Sequence, residues 1–179
     1  MDYAQLEHAI RAACEVSKDT ELLIFGSQAI LGSYPNAPAG LRASIEIDMQ
    51  AKNLPERTVY IAGALGEGSL FHATHGFWVD GVLIDVAKLP EGWETRTIAV
   101  SHPVGTRGNT GHCLEVHDLA ASKLAANRDK DREFVTILLA ERIIDGDVLL
   151  ERIATLPVSD EDRVGRARWV RFTLEDLDS

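Results

Sequence analysis

The residues of this 179-residue chain that are best suited to chemistry begin with a Gly-Ser pair. Gly26 and Ser27 come directly after the short apolar run at residues 22–25. A turn of this kind before a helix offers backbone N–H groups and a hydroxyl to a phosphate. Glycine also keeps the ligand's approach free of a side chain. We therefore interpret Gly26 and Ser27 as a phosphate-binding turn.

Two carboxylates follow on the alternating segment ASIEIDMQ at residues 43–50. Its isoleucines and methionine fall on one face of a strand, and Glu46 and Asp48 fall on the other. Carboxylates two residues apart on a strand point the same way, about 6–7 Å apart. That spacing suits Mg²⁺, which takes one or two carboxylates and completes its shell with substrate phosphates and water. Asp85, between Ile84 and Val86 on a predicted later strand, is the candidate third acid. Together these residues predict a two-metal site for phosphoryl or nucleotidyl transfer.

The elements that position these residues are predicted from hydrophobic periodicity. The pattern indicates an amphipathic helix at 2–16, a buried strand at 22–25 and a short helix from Gln28. After the strand at 43–50 come a helix at 59–65, a hairpin formed by 77–80 and 82–88 about Gly81, a strand at 96–101 and a Gly-rich loop at 102–111. The remainder reads as helices at about 118–127, 129–144, 147–155 and 159–171, the first capped by His117 or Asp118. This order predicts an α+β fold with a core at 1–113 and a C-terminal helical subdomain at 114–179, packed as one unit.

Composition narrows the class of protein. Hydrophobic residues make up 45% of the chain and charged residues 26%, as in soluble globular proteins. No apolar stretch approaches the ~18–20 residues that a membrane helix needs. The start, MDYAQLEH, has neither a basic nor an apolar signal region, so we expect no signal peptide. Two cysteines cannot form a disulfide framework, and we expect a reducing, cytoplasmic setting.

The net charge of −10 argues against non-specific nucleic-acid binding. One basic stretch, residues 163–171, contains four arginines and no acid. A solvated helix face is one interpretation of this stretch, and contact with an RNA phosphate backbone is the other.

Two segments of the sequence resemble a known family. Both are similar to segments of minimal nucleotidyltransferases of the AbiEii/MenT type. The first reads LIFGSQAI…LRASIEIDM, and the second, later in the chain, reads HDLAASKLAANRDKDREFVTILL. These are toxins of type IV toxin–antitoxin systems with a DNA polymerase β-like fold, a small mixed sheet flanked by helices. Arg42, Ser44, Glu46 and Asp48 fill the family's R-x-T-x-D-x-D motif, with glutamate at the first acid. The second segment matches D-L-x-x-x-K-L-x-A-x-R-x-K-D from Asp118 onward.

The resemblance implies roles for the first segment. Gly26 and Ser27 would hold the triphosphate of an NTP. Glu46 and Asp48 would bind Mg²⁺ and carry the catalytic chemistry.

The resemblance also implies roles for the second segment. Lys123 would neutralise the triphosphate, assisted by Lys130 or Arg128. Asp131 would orient these cations or act as a further catalytic acid. Helical spacing independently places Lys123, Lys130 and Asp131 on one face.

The activity implied by the resemblance is Mg²⁺-dependent transfer of a nucleotide from an NTP to an acceptor. The acceptor could be the 3′ end of tRNA, and the protein a growth-inhibiting toxin neutralised by a cognate antitoxin protein. Glu46 in place of aspartate leaves open a degenerate protein that binds nucleotide or a partner without turnover. A small-molecule or protein acceptor is the third hypothesis, and the acidic net charge favours it mildly over RNA.

Overall fold

A computed structural model describes residues 1–177 and 179 of the chain. The chain forms two compact units. The first comprises Met1–Val86 and Thr97–Leu114, and the second comprises Ala87–Arg96 and Glu115–Ser179. The segment Ala87–Arg96, predicted to belong with residues 1–113, therefore lies in the second unit. In the described part of the chain, no helix is both long enough and apolar enough to span a bilayer.

The first unit is built on a five-stranded mixed sheet. In chain order its strands are β1 (Glu21–Phe25), β2 (Glu46–Ala51), β3 (Trp78–Gly81), β4 (Ile98–Ser101) and β5 (Thr110–Cys113). They lie side by side in the order β3-β2-β1-β5-β4. The pairs β1–β2 and β4–β5 are antiparallel, and the pairs β1–β5 and β2–β3 are parallel. The predicted fold class, a small mixed sheet flanked by helices, is confirmed.

The helices of the first unit support this sheet. They are α1 (Tyr3–Ser17), α2 (Ile30–Ser33), α3 (Thr58–Leu65) and α4 (Leu70–His75). A capping box begins α1, because the Asp2 carboxylate accepts from the Gln5 N–H while the Gln5 side chain accepts from the Asp2 N–H. Helices α1 and α3 pack against β2 and β3, and α2 packs against β4 and β5. The buried faces of α1 and α3 therefore support β2, which carries Glu46 and Asp48, and its neighbour β3.

The predicted hairpin about Gly81 is wrong. Strand β3 ends at Gly81, and residues 84–86 form a 3₁₀ turn instead of a returning strand. The Val82 N–H donates to the Met49 carbonyl at 3.1 Å, and the Ile84 N–H donates to the Gln50 side chain at 2.6 Å. These two bonds hold the chain beside β2, so it does not fold back on β3.

The second unit is helical. Its helices are α5 (Val116–Ala126), α6 (Asp129–Ala140), α7 (Gly146–Ala154) and α8 (Asp160–Leu177). The cap of α5 differs from the prediction, since Glu115 accepts hydrogen bonds from the N–H groups of His117 and Asp118. The longer glutamate side chain reaches these two donors from a residue with extended backbone.

A buried ion cluster links three segments of the second unit. Asp118 has no exposed side-chain area and accepts two hydrogen bonds from Arg96, at 2.8 and 2.9 Å. The Arg152 guanidinium lies 3.2 Å from the same carboxylate. The two guanidinium groups offset the cost of burying this carboxylate, so Asp118 holds Ala87–Arg96 against α5 and α7.

Candidate active site

Three carboxylates converge where β2 and β3 lie side by side. Asp48 stands opposite Asp80 in the parallel register, and Glu46 precedes Asp48 by two residues. Carboxylate oxygens of Glu46, Asp48 and Asp80, called the acidic triad below, all lie within 4.8 Å of one another. All three residues are half-buried, whereas Ile47 and Met49 between and beside them are fully buried. The predicted alternation is thus confirmed from Glu46 to Met49, whereas Ile45, placed on the inner face, is exposed before the strand begins, and Gln50, placed on the outer face, is buried.

The Gly-Ser turn lies directly against this triad. Phe25, the last residue of β1, pairs with Asp48, and Gly26 follows with φ +70° and ψ −171°. A Cβ atom at Gly26 would lie 1.8 Å from Oδ2 of Asp48. The Asp48 carboxylate therefore occupies the space that any side chain at position 26 would fill. Ser27 begins a 3₁₀ turn that leads into α2.

The donor set of the acidic triad suits a hard divalent cation. Carboxylate oxygens are the ligands that Mg²⁺ and Mn²⁺ prefer, whereas zinc and copper sites usually include His or Cys. In the described part of the chain, neither Glu46 nor Asp80 has a Lys, Arg or His side chain within ion-pair distance. Like charges this close repel each other, and a bound cation removes that repulsion.

A second polar group lies in the second unit, at the junction of α5 and α6. Asp131 is fully buried, and its carboxylate accepts from Nε of Arg128 at 2.6 Å. Nζ of Lys123 lies 3.5 Å from the same carboxylate and 5.1 Å from the centre of the Phe134 ring. Burial raises the pKa of Asp131. The hydrogen bond from Arg128 and the charges of Lys123 and Arg128 lower that pKa by more than burial raises it. The net pKa lies below the ordinary value of aspartate, so this residue is an ionised anchor for two cations.

A family model now places the chain among known proteins. The model of nucleotidyltransferases of unknown function, DUF6036, matches residues 3–175. The chain belongs to this family. Comparisons with curated proteins and with solved structures gave no match. The predicted nucleotidyltransferase family and fold are confirmed, while the AbiEii/MenT type remains a prediction.

In this nucleotidyltransferase the third acid of the cluster is Asp80, a residue that sequence reasoning missed. The predicted third acid, Asp85, is exposed on the 3₁₀ turn after β3 and is outside the acidic triad. The strand assigned to it is wrong, because the chain leaves the sheet after Gly81. One local signal does favour Asp80, since it alternates with the buried Val79 on a short apolar run. Its register opposite Asp48 is set by strand pairing and has no local signal.

The other predicted residues of the nucleotidyltransferase divide between the two units. Gly26, Ser27, Glu46 and Asp48 lie in the first unit. Lys123, Arg128, Lys130 and Asp131 lie in the second. The catalytic and nucleotide-binding roles of all eight remain predictions.

The predicted single helix face carrying Lys123, Lys130 and Asp131 is wrong. Asn127 takes a left-handed conformation with φ +56° and ends α5, and α6 begins at Asp129. Lys123 and Asp131 meet across this break, and Lys130 is exposed.

The arginine of the resemblance motif has a structural contact. Nε of Arg42 donates to the Ala37 carbonyl at 2.6 Å, and its guanidinium also donates to the Met1 carbonyl at 3.3 Å. Arg42 therefore closes the loop that precedes β2. Ser44, two residues later, accepts a hydrogen bond from the Glu46 N–H at 3.2 Å.

Proposed function

We propose that the protein transfers a nucleoside monophosphate from an NTP to an acceptor hydroxyl at the acidic triad, with Mg²⁺ as the cation. The acceptor oxygen forms a bond to the α-phosphorus, and the bond from that phosphorus to the β-phosphate oxygen breaks. Pyrophosphate leaves, and the hydroxyl proton passes to a carboxylate of the triad. When bound, Mg²⁺ neutralises phosphate charge and lowers the pKa of the attacking hydroxyl.

The observation that carries this proposal is the contiguity of the acidic triad and the Gly-Ser turn. Asp48 lies against the Cα of Gly26, where only glycine leaves room for it. Backbone and hydroxyl donors at Gly26 and Ser27 would hold the phosphates beside the carboxylates that hold the cation. The protein would act by positioning and charge neutralisation, with no covalent intermediate.

The resemblance supplies the proposed roles in the second unit. Lys123 neutralises the triphosphate, with Arg128 or Lys130 assisting. Asp131 fixes the ammonium and guanidinium groups of Lys123 and Arg128, as their ion pairs with this buried carboxylate indicate. An anchored cation loses less side-chain freedom when a phosphate binds, which favours binding.

The acceptor that we propose to test first is the 3′ end of tRNA. Of the basic stretch on α8, Arg163 pairs with Asp160 and Arg166 pairs with Asp162. Arg168 and Arg171 are exposed, so these two are the arginines on which phosphate contacts of this helix would depend.

The experiment supplies each of four α-³²P NTPs with Mg²⁺ to the protein in the presence of total tRNA and cell protein. Label on tRNA that is lost in Asp48→Ala is the expected result, and it identifies the nucleotide. Label on protein alone, or on neither while NTP still binds, would overturn the tRNA acceptor and favour one of the other two hypotheses. Absence of NTP binding would overturn the proposed function as a whole.

The biological role that we propose depends on the tRNA acceptor and is tested by growth. We propose that nucleotide addition to tRNA inhibits growth and that a separately encoded antitoxin protein neutralises it. Induced expression of the wild type is expected to slow growth, whereas Asp48→Ala is expected to have no effect. Equal growth of both strains would contradict the toxin role without touching the enzymatic proposal.

A further inference from the structure

Gln28, immediately after the Gly-Ser turn, has an unusual environment. The residue is fully buried, and its Nε2 donates a hydrogen bond to the carbonyl oxygen of Ser44 at 3.0 Å. Its other amide atom, Oε1, is also buried and has no hydrogen-bond partner in the described part of the chain. The amide nitrogen of Gln28 is therefore hydrogen-bonded, whereas, among the described residues, its buried amide oxygen is not.

An unused buried amide oxygen is unfavourable for folding. A leucine or methionine at position 28 would fill similar space and leave no polar atom without a partner. General stability therefore does not explain an amide here. What the amide adds is one hydrogen bond to the Ser44 carbonyl, so the role of Gln28 depends on what Ser44 positions.

Ser44 leads directly into the strand that carries the acids. Its hydroxyl accepts from the Glu46 N–H at 3.2 Å and lies 3.3 Å from the Glu46 carbonyl oxygen. Gln28 is thus connected to the Glu46 backbone through one residue. Glutamate has one more rotatable side-chain bond than aspartate, so the position of its carboxylate depends strongly on a fixed backbone.

We propose that Gln28 is a positioning residue. It holds the start of β2 against the Gly-Ser turn, so that the Glu46 carboxylate stays beside those of Asp48 and Asp80. The inference rests on the proposed function only in taking the acidic triad as the cation site.

The test measures Mn²⁺ binding by calorimetry, without turnover, for the wild type, Asp48→Ala and Gln28→Leu. Mn²⁺ affinity of Gln28→Leu is expected to fall about tenfold or more, as is usual when a residue that orients a metal ligand is lost. The thermal midpoint of this variant is expected to stay the same or rise, because the unpaired oxygen is gone. Gln28→Met provides the same test with an unbranched side chain.

Thr58→Val is the matched control at the other end of β2. The buried Thr58 hydroxyl accepts from the Ala51 N–H at 3.1 Å, so this variant also removes one buried hydrogen bond that holds the strand. Its thermal midpoint is expected to fall while its Mn²⁺ affinity stays at the wild-type value. A structural role and a positioning role therefore give opposite patterns.

The outcomes separate the two proposals. Wild-type affinity in both Gln28 variants, unfolding of both, or an equal loss in Thr58→Val overturns the positioning role. Mn²⁺ binding by the wild type without nucleotide transfer overturns the proposed function and leaves the positioning role standing. A wild type that binds Mn²⁺ no better than Asp48→Ala overturns both.

Discussion

The substitution Gly26→Ala is expected to destabilise the protein in two ways, through backbone strain and through a clash with Asp48. The conformation of Gly26, φ +70° and ψ −171°, is one that essentially only glycine adopts, and another residue there costs about 1–3 kcal/mol. The new Cβ would also lie 1.8 Å from Oδ2 and 2.9 Å from Cγ of Asp48. Forcing atoms into a filled space costs about 1–3 kcal/mol more.

A double-mutant cycle isolates the second contribution. In the Asp48→Ala background the clashing atoms are gone, and the nearest remaining atom of residue 48 is its Cβ at 3.4 Å, an ordinary contact. Gly26→Ala is therefore expected to destabilise the wild type by about 1–3 kcal/mol more than it destabilises Asp48→Ala. Urea unfolding of the four proteins measures this coupling.

Gly76→Ala is the control for the cycle. Gly76 has φ +73°, and apart from its chain neighbours no atom of the described residues lies within 4 Å of the Cβ that alanine would add. Its substitution is expected to destabilise the protein through the backbone alone and to show no coupling with Asp48→Ala. Additive effects of Gly26→Ala and Asp48→Ala would refute the contact between the turn and the triad.

Three further predictions concern stability and reactivity. Asp118→Ala leaves Arg96 without its buried partner and is expected to lower the free energy of unfolding in urea by about 3 kcal/mol. This is the low end of the usual cost of breaking a buried ion pair, because the Arg96 side chain is a quarter exposed. A loss of less than about 1 kcal/mol would contradict this prediction. Burial raises the pKa of Asp19, but four hydrogen bonds lower it by more, so the folded pKa lies below the unfolded value. The stability that Asp19 contributes is therefore complete above the unfolded pKa of about 3.9 and is lost as the pH falls through the folded pKa. Asp19→Asn should therefore lower the thermal midpoint above about pH 4 and flatten its decline below that pH, and parallel profiles would contradict this. Burial raises the pKa of Cys14 and of Cys113 to about 12, so both thiols should react slowly with a thiol reagent at pH 8 and fully in urea; rapid labelling of the native protein would argue against it.

The parts of the fold that were predictable depend on local patterns. The alternation around Glu46 and Asp48 identified β2 and its acidic face, because neighbouring residues alone determine which side of a strand each side chain occupies. The apolar stripe of α1 and the helix at Thr58–Leu65 were also predictable. Asp80 was not, because its place opposite Asp48 depends on the pairing of strands 32 residues apart.

Strand β5 shows a second limit. The Gly-rich loop predicted at 102–111 is confirmed over 102–109, but Thr110 and Gly111 already belong to the strand Thr110–Cys113, which lies between β1 and β4. A Cβ at Gly111 would lie 2.5 Å from Ile24 and 2.7 Å from Ile10. Side chains of β1 and α1 fill the space next to this glycine, so one face of the strand, Gly111 and Cys113, is buried although the segment lacks a run of large apolar residues. Only the neighbouring elements explain it.

The acidic triad is tested most directly by comparing two aspartates that lie five residues apart. Calorimetric titration with Mn²⁺ would be carried out on the wild type, Asp80→Asn and Asp85→Asn. The geometry predicts that Asp80→Asn weakens Mn²⁺ binding about tenfold or more, because it removes a carboxylate within 4.8 Å of the other two. Asp85→Asn is expected to bind Mn²⁺ as the wild type does, because Asp85 is outside the acidic triad. Weakened binding in Asp85→Asn with unchanged binding in Asp80→Asn would contradict the assignment of the metal centre to Glu46, Asp48 and Asp80.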